Sequence, residues 1–254
     1  MDIGKYKGAV HHANGLFSEV YRAKRPSDAK GSAPKSSNLP KYVALKVTVP
    51  SVMVAPHNAV REARMLQIAK SSNVISLLET FEQSGGRFIL VFPFMRYDLA
   101  QLMREQELSP ADIKSCLRDM FRALDHIHNV GIIHRDVKPS NLLLDLPSGP
   151  AYLADFGIAW CVDDPASEPG DSKITDVGTT SYRPPELLFG NTAYDDSLDM
   201  WAAGCVVAEV ANGSSDTLFD SGDLGSELAL IQSIFKSLGT PNLQAWPVST
   251  TIPS

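Results

Sequence analysis

The hydrophobic pattern of this chain changes type near residue 94. Before that point, short apolar runs bounded by Gly, Asn and Ser predict five strands, and one stretch has helical spacing. After it, apolar residues recur every three or four positions, as in amphipathic helices. The predicted elements of the first part are two strands within Val10–Ala23, strands over Tyr42–Val47, Val74–Phe81 and Arg87–Phe92, and a helix over Pro56–Lys70. The pattern therefore predicts an α+β protein with a β-rich lobe at residues 1–94 and a mainly helical lobe at 95–254.

Residues 25–41 interrupt the strand region with Ser, Pro, Lys and Ala and almost nothing apolar. Such a segment cannot bury enough surface to offset the entropy of ordering it, so we expect a flexible loop. A docking or phosphorylation insert is the alternative. In the second part, Ser109-Pro110-Ala111-Asp112 has the residues of a capped helix start. The apolar stretch Asp199–Asn212 predicts a helix buried on most sides.

Composition excludes several classes of function. The net charge is -6 and the pI about 5.5, which argues against nucleic acid or an anionic membrane as the main partner. The three cysteines, Cys116, Cys161 and Cys205, form no CxxC pair, so neither a disulfide framework nor a zinc site is expected. No signal-peptide layout or membrane-length apolar run occurs. We expect a soluble intracellular protein of the nucleus, the cytoplasm or both.

Three polar strings carry the chemistry. They are His134-Arg135-Asp136-Val137-Lys138-Pro139-Ser140-Asn141, Asp155-Phe156-Gly157 and Pro184-Pro185-Glu186. Together they supply carboxylates, an ammonium group and an amide, which phosphoryl transfer from a nucleotide uses as base, metal ligands and charge partner. Lys46 stands alone in an apolar strand, where an unpaired ammonium is costly, and Glu62 lies in the following helix. Read alone, Lys46 could be a strand-edge lysine and Glu62 a surface glutamate.

In this order and spacing, the strings resemble those of eukaryotic serine/threonine protein kinases. The resemblance implies the bilobal kinase fold, with ATP and Mg²⁺ in the cleft between the lobes. It implies that Asp136 receives or orients the proton of the substrate hydroxyl and that Lys138 contacts the transferred phosphate. It assigns Asn141 and Asp155 to the metal, and the pair of Lys46 and Glu62 to the phosphates.

The same resemblance assigns supporting roles around the catalytic loop. Thr179 would bridge Asp136 and Lys138, while His134 and Arg135 would hold the loop in place. Asp199 would bind the backbone of that loop, and it could also be a plain helix N-cap. For ATP, the resemblance implies a slot of residues that are individually ordinary core positions: Val10, Gly15, Val20, Ala44, Lys46, Phe92, Met95, Leu143 and Ala154.

Within the kinases, Tyr182–Leu188, Asp199–Cys205 and Leu238–Pro241 resemble the group of cyclin-dependent and mitogen-activated kinases. The glycine-rich loop keeps only Gly15 of its three glycines. Together with the helix at His57–Glu62, this is most similar to the fungal monomeric kinases that activate cyclin-dependent kinases. That helix is only loosely similar to a cyclin-contacting helix, which is weak support for a cyclin-type subunit. A protein substrate, such as another kinase, is implied.

The activation segment is expected over Ile158–Arg183. Thr175 is its candidate phosphorylation site, with Ser172 second, and the alternative is that both are solvated loop hydroxyls. A phosphate on Thr175 would pair with Arg135, unless acidic residues such as Glu168 take its place.

Two features favour a competing function. Relatives continue past Ser254 and carry an arginine that pairs with the glutamate matching Glu186. No arginine follows Arg183 here, so we expect an incomplete helical lobe. Together with the missing glycines, this leaves a pseudokinase or regulatory binding module as the alternative to an active kinase.

Overall fold

The computed structural model describes residues 1–26, 40–105, 108–213 and 216–242. Its helices and strands, in chain order, are β1 Val10–Asn14, β2 Ser18–Lys24, β3 Tyr42–Thr48, α1 Ala59–Ile68, β4 Glu79–Gln83, β5 Arg87–Pro93, β6 Tyr97–Asp98, α2 Leu99–Glu105, α3 Pro110–Asn129, β7 Ile132–Ile133, β8 Leu142–Leu144, β9 Ala151–Leu153, β10 Trp160–Cys161, α4 Pro185–Leu188, α5 Ser197–Asn212 and α6 Glu227–Leu238. Short 3₁₀ turns cover Pro50–Val52, Pro139–Asn141 and Thr180–Tyr182.

The first lobe is one antiparallel sheet with the strand order β1-β2-β3-β5-β4, covered by α1. Strands β3 and β5 are rich in β-branched and aromatic residues, which suits them to the middle of this sheet. Gly85 and Gly86 take φ values of +82° and +67° in the turn between β4 and β5. Those values favour glycine, which is why this sequence forms a hairpin. The predicted β-rich lobe with one helix is confirmed.

Two predicted elements of this lobe begin later than expected. The strand expected to begin at Val74 begins at Glu79, because Val74 forms a parallel bridge with Leu153 of the other lobe instead. The helix expected from Pro56 begins at Ala59. There the Asn58 side chain accepts a hydrogen bond of 2.9 Å from the backbone N–H of Arg61 and caps the first turn.

The second lobe is built mainly from α3 and α5. At the start of α3, Ser109 and Asp112 form the predicted reciprocal capping box. Helix α5 begins at Ser197 with Asp196 at its N-cap, so Asp199 lies inside the helix and is not its cap. Cys116 of α3 and Cys205 of α5 are both buried. One hydrophobic core runs from α1 and β5 through α3 to α5 and so joins the two lobes.

Several sequence predictions concern residues outside the described ranges. Most of the expected loop at 25–41 is among them, although the Arg25 N–H donates to the Lys41 carbonyl at 3.0 Å and closes the base of the β2–β3 connection. The end of the predicted helical lobe, residues 243–254, also lies outside. Within the described ranges, Glu186 makes no ion pair, and burial raises the pKa of its carboxyl. No helix in these ranges is long and apolar enough to cross a bilayer.

Candidate active site

A cluster of three charged side chains lies where the two lobes meet. The Lys46 ammonium on β3 is 2.7 Å and 2.8 Å from the two carboxylate oxygens of Glu62 on α1. It is also 2.7 Å from Oδ1 of Asp155, which follows β9. The Glu62 side chain is 1% exposed and that of Lys46 16% exposed. The lysine that stands alone in the apolar strand therefore has two carboxylate partners, as the cost of burying a single charge requires.

These charges shift one another's ionisation. Burial alone would lower the pKa of Lys46, but the nearby carboxylates outweigh burial and raise it. The Lys46 charge holds the pKa of Asp155 well below its usual range. Burial raises the pKa of Glu62, and the Lys46 ammonium opposes part of that shift. At neutral pH the cluster therefore presents a charged lysine and an ionised Asp155 to the cleft.

The loop after β7 holds Asp136 through hydrogen bonds to both of its carboxylate oxygens. Oδ1 accepts from the backbone N–H of Thr179 at 2.9 Å and from its hydroxyl at 2.8 Å. Oδ2 accepts from the Asn141 amide at 3.0 Å and lies 2.7 Å from the Lys138 ammonium. The Lys138 ammonium in turn donates to the Thr179 hydroxyl at 2.6 Å. The carboxylate is thus fixed in orientation by three different residues.

Asp199 holds the backbone of this loop from below. Its fully buried carboxylate accepts from the backbone N–H groups of His134 at 2.8 Å and Arg135 at 2.9 Å. His128 contacts the same carboxylate at 2.8 Å. Burial alone would lower the pKa of His128, but the hydrogen bond to Asp199 and the charges of the nearby carboxylates together outweigh burial and raise it. Such a bond network over-determines the loop. It stabilises Arg135 in a left-handed conformation, φ +69°, that is unusual for a non-glycine residue.

The His134 ring joins the two functional loops. Its Nε2 lies 3.0 Å from the carbonyl of Ala154, and its Nδ1 accepts from the Asp136 N–H at 3.2 Å. Because Nδ1 accepts, Nε2 is the nitrogen that donates to the Ala154 carbonyl. Asp155, which follows Ala154, has a left-handed backbone with φ +64°, as Arg135 does. Two functional carboxylates are therefore positioned relative to each other by one buried histidine.

Asn141 and Asp155 are suited to a hard cation. The Asn141 amide nitrogen bonds to Asp136, and Oδ1 of Asp155 bonds to Lys46. Among the described residues, this leaves Oδ1 of Asn141 and Oδ2 of Asp155 without a hydrogen bond, and both residues line the same cavity. One amide and one carboxylate oxygen are a sparse set that suits Mg²⁺ when phosphates and water supply the other ligands. No group of three or more His, Cys, Asp or Glu in the described ranges could hold a metal alone.

The cavity beside this cluster has a volume of about 410 Å³ and is lined by both lobes. It includes Gly15, Val20, Ala44, Lys46, Phe92, Met95, Leu143 and Ala154, all expected at an ATP site. Val10 is the exception and must be corrected: it lies opposite Arg22 near the start of β1, is 67% exposed and does not line the cavity. A register irregularity between His11 and Ala13 bends β1 there, and His12 and Ala13 line the cavity instead.

Arg135 extends from the loop into the activation segment, where its buried guanidinium has a partner in every direction. It donates to the Ile158 carbonyl at 2.7 Å and to the Tyr194 hydroxyl at 2.8 Å. Its closest contact with the Glu168 carboxylate is 3.2 Å. The candidate phosphorylation site, Thr175, is half-buried, and no contact with Arg135 is seen among the described residues. Glu168 is therefore the carboxylate partner of Arg135, where the sequence predicted a phosphate or an acidic residue in its place.

Some residues near the site carried no signal that sequence reasoning could use. The rings of Phe17 and His57 contact each other at a tilt of 58°, with centroids 4.9 Å apart. Both residues line a second cavity of about 800 Å³, which Asp136 and Thr179 also line. Arg64 and Asp164 form an ion pair across 100 residues of chain. A pattern of single side chains cannot reveal such pairs, because they depend on how the activation segment returns to α1.

Comparison with known proteins agrees with this geometry. The protein kinase domain family matches residues 12–253. Human cyclin-dependent kinase 20 is 37% identical over 201 residues, which are 78% of this chain and 55% of the relative. The serine/threonine-protein kinase csk1 of Schizosaccharomyces pombe is 34% identical over 248 residues, 96% of this chain and 76% of the relative.

Among solved structures, the crystal structure of the yeast RNA Pol II CTD kinase CTDK-1 complex contains a chain with a TM-score of 0.74 and 30% identity. The match covers 92% of this chain and 70% of that chain. This chain spans about half the length of several curated relatives, such as cyclin-dependent kinase 20. The matched domain and these relatives show that the chain belongs to the protein kinase family, among the serine/threonine kinases of the cyclin-dependent type.

Proposed function

We propose that this chain transfers the γ-phosphoryl group of ATP to a serine or threonine hydroxyl of a protein. One observation carries the proposal. The Asp136 carboxylate is held on both oxygens and lines the larger cavity together with Lys46 and Asp155. Lys46 and Asp155 also line the smaller cavity with Asn141, whose amide bonds to Asp136. Phosphoryl transfer to a hydroxyl requires a positioned carboxylate beside charged groups that bind the phosphates and their metal ion.

In this proposal, Asp136 orients the substrate hydroxyl and takes its proton. The hydroxyl oxygen bonds to the γ-phosphorus while the bond from phosphorus to the bridging oxygen of ADP breaks. Lys138, 2.7 Å from Asp136, lies where it can neutralise charge on the moving phosphoryl group. The Thr179 hydroxyl donates a hydrogen bond to Asp136 and accepts one from Lys138. It therefore holds the Asp136 carboxylate and the Lys138 ammonium in a fixed arrangement.

Lys46 would bind the phosphates of ATP, with Glu62 keeping its ammonium in place. Asn141 and Asp155 would hold Mg²⁺, which when bound neutralises phosphate charge and fixes the triphosphate. Ala44, Leu143 and Ala154 would pack on the adenine ring, because the cavity is apolar away from the charged cluster. The Lys46–Glu62 pair is already formed in the single chain, which supports activity without a cyclin-type subunit.

The surroundings of Gly178 support a preference for proline after the target residue. The Gly178 carbonyl accepts from the Arg183 guanidinium at 3.1 Å and 3.0 Å. It is therefore not open to a substrate N–H, and proline lacks that N–H. The resemblance to fungal activating kinases extends the proposal to a substrate class, the activation loop of another kinase. Thr175 remains the proposed phosphorylation site of this chain.

Phosphate transfer from radiolabelled ATP with Mg²⁺, measured with Asp155→Asn, tests the proposal. Loss of the carboxylate charge should lower the rate by about a hundredfold or more. Asp145→Asn is the control, since Asp145 pairs with Arg96 at 3.0 Å on the surface and does not line the ATP cavity. Peptides with Ser-Pro and Ser-Ala, and a kinase activation-loop peptide, serve as acceptors. Equal transfer by the native chain and Asp155→Asn would contradict the proposal and leave the pseudokinase alternative.

A further inference from the structure

Helix α1 is joined to the activation segment on a side away from the ATP cavity. Arg64 Nε is 2.6 Å and Nη2 2.9 Å from the two carboxylate oxygens of Asp164. The Asp164 side chain is only 2% exposed and that of Arg64 37%. Hydrogen bonding to Arg64 lowers the pKa of Asp164 despite its burial, so the pair is ionic at neutral pH. A two-point arginine–carboxylate contact fixes direction as well as distance.

The carboxylate of Asp164 is itself fixed relative to the catalytic loop. Oδ1 of Asp164 accepts from the Ala166 N–H at 2.9 Å, and the backbone N–H of Asp164 donates to the Cys161 carbonyl at 3.2 Å. Cys161 belongs to β10, which pairs with β7 directly before His134. Arg64 is therefore held against a turn that is bonded, through β10, to the strand that precedes the catalytic loop.

Two further bonds run between α1 and the same segment. The Asn58 N–H donates to the Gly157 carbonyl at 3.1 Å, and Arg61 Nη1 donates to the Ala166 carbonyl at 2.9 Å. Both use a backbone acceptor, whereas the Arg64–Asp164 contact joins two side chains of opposite charge. Glu62 lies two positions before Arg64, so the two side chains leave the helix in roughly opposite directions. Rotation of α1 that breaks one contact would displace the other.

We propose that Arg64 and Asp164 are positioning residues, which hold α1 at the rotation where Glu62 reaches Lys46. The inference rests on the proposed kinase function and adds to it a specific control of the Lys46–Glu62 pair. Neither residue lines the ATP cavity. Their effect on phosphate transfer therefore passes through Glu62.

The first test is a double-mutant cycle with Arg64→Ala, Asp164→Asn and both together. We expect each single change to lower kcat about five- to twentyfold, with little added loss in the double variant, because both remove one contact. Arg64→Lys should recover part of the rate, and KM for the protein substrate should stay the same. The matched control is Arg118→Ala, since Arg118 also pairs an exposed guanidinium with a buried carboxylate, at 3.3 Å from Asp119, but within α3.

A second comparison separates positioning from general stability. In a Glu62→Gln background, Arg64→Ala should cause no further loss of rate, because the residue through which it acts is already changed. The proposal would be overturned if Arg64→Ala lowered the rate in the Glu62→Gln background by the same factor as in the native chain. It would also be overturned if Arg64→Ala were as active as Arg118→Ala.

Amide hydrogen exchange of α1 gives a readout that needs no activity. Exchange over Ala59–Ile68 should rise in Arg64→Ala and Asp164→Asn, and it should not change in Arg118→Ala. If the native chain transfers no phosphate, the proposed function fails. Amide exchange then still tests whether the Arg64–Asp164 contact holds α1 in place. Unchanged exchange in α1 for both variants would overturn the positioning role, whether or not the chain is active.

Discussion

Two sides of the ATP cleft are built in different ways. We call the region around Asp136 and Asp199 the floor, and strand β1 with its turn into β2 the roof. On the floor, Asp136 and Asp199 together accept from five N–H or O–H groups of neighbouring loops, apart from contacts with Lys138 and His128. On the roof, all five residues of β1 are exposed, and the turn into β2 is closed by one hydrogen bond of 2.7 Å from the Gly15 N–H to the Ser18 carbonyl. The floor is fixed by interlocking contacts and the roof by one hairpin.

This difference predicts how each region responds to change. A floor residue that moves leaves several buried polar groups unpaired, each of which costs about 1–3 kcal/mol. A roof residue that moves encounters mainly solvent or the ends of rotatable side chains. The floor should therefore lose activity on small changes, and the roof should tolerate them.

The largest effect is expected for Gly178→Ala on the floor. Gly178 has φ +74°, and a Cβ atom there would lie 2.4 Å from the carbonyl oxygen of Arg135. Because backbone cannot rotate away, the loop that bears Asp136 must shift, and a shift of about 1 Å can cost about a hundredfold in rate. Steady-state phosphate transfer and thermal unfolding measure the loss of kcat/KM and of stability.

Gly190→Ala is the matched control for that variant. Gly190 has φ +80°, but an added Cβ would meet nothing within 4 Å. It therefore carries the backbone cost of about 1–2 kcal/mol without the clash. Equal losses of activity in the two variants would mean that the floor is no more rigid than an open turn.

A smaller effect is expected for Glu168→Gln in the activation segment, which extends the floor outward. The neutral amide keeps the shape but removes the charge that faces the buried Arg135. Leaving a buried charge without its full partner should lower kcat about tenfold. Thr175→Ala and phosphatase treatment should each change the native rate less than twofold, because Glu168 already fills the position beside Arg135.

Asp163→Asn, an exposed acid of the same segment, is the control for charge alone. If phosphatase abolishes the native activity while Glu168→Gln has no effect, Glu168 does not replace a phosphate.

The sequence predicted best those features that depend on residues close together in the chain, and it missed contacts between distant segments. The resemblance to protein kinases predicted the pairing of Lys46 with Glu62, which the structure brings to 2.7 Å, and Ser109 with Asp112 marked a helix start. The predicted strand start at Val74 was wrong because the partner of Val74, Leu153, lies in the other lobe. The prediction that Val10 lines the ATP site was wrong because β1 has a register irregularity and His12 lines the cavity instead. No residue pattern indicates that irregularity. The contact of Arg64 with Asp164 depends on the path of the activation segment, which single positions do not encode.

The smallest effect is expected for Gly15→Ala, the one glycine that the roof retains. A Cβ there would lie 2.6 Å from the Ser18 hydroxyl oxygen, which is the end of a rotatable side chain, and the backbone of Gly15 is not left-handed. The change should therefore raise KM for ATP by no more than about threefold, since small residues still let amides approach phosphate. Ser18→Ala combined with Gly15→Ala should restore the native KM by removing the contact. A loss above about tenfold that Ser18→Ala does not relieve would show that the roof depends on glycine itself, and the contrast with the floor would then fail.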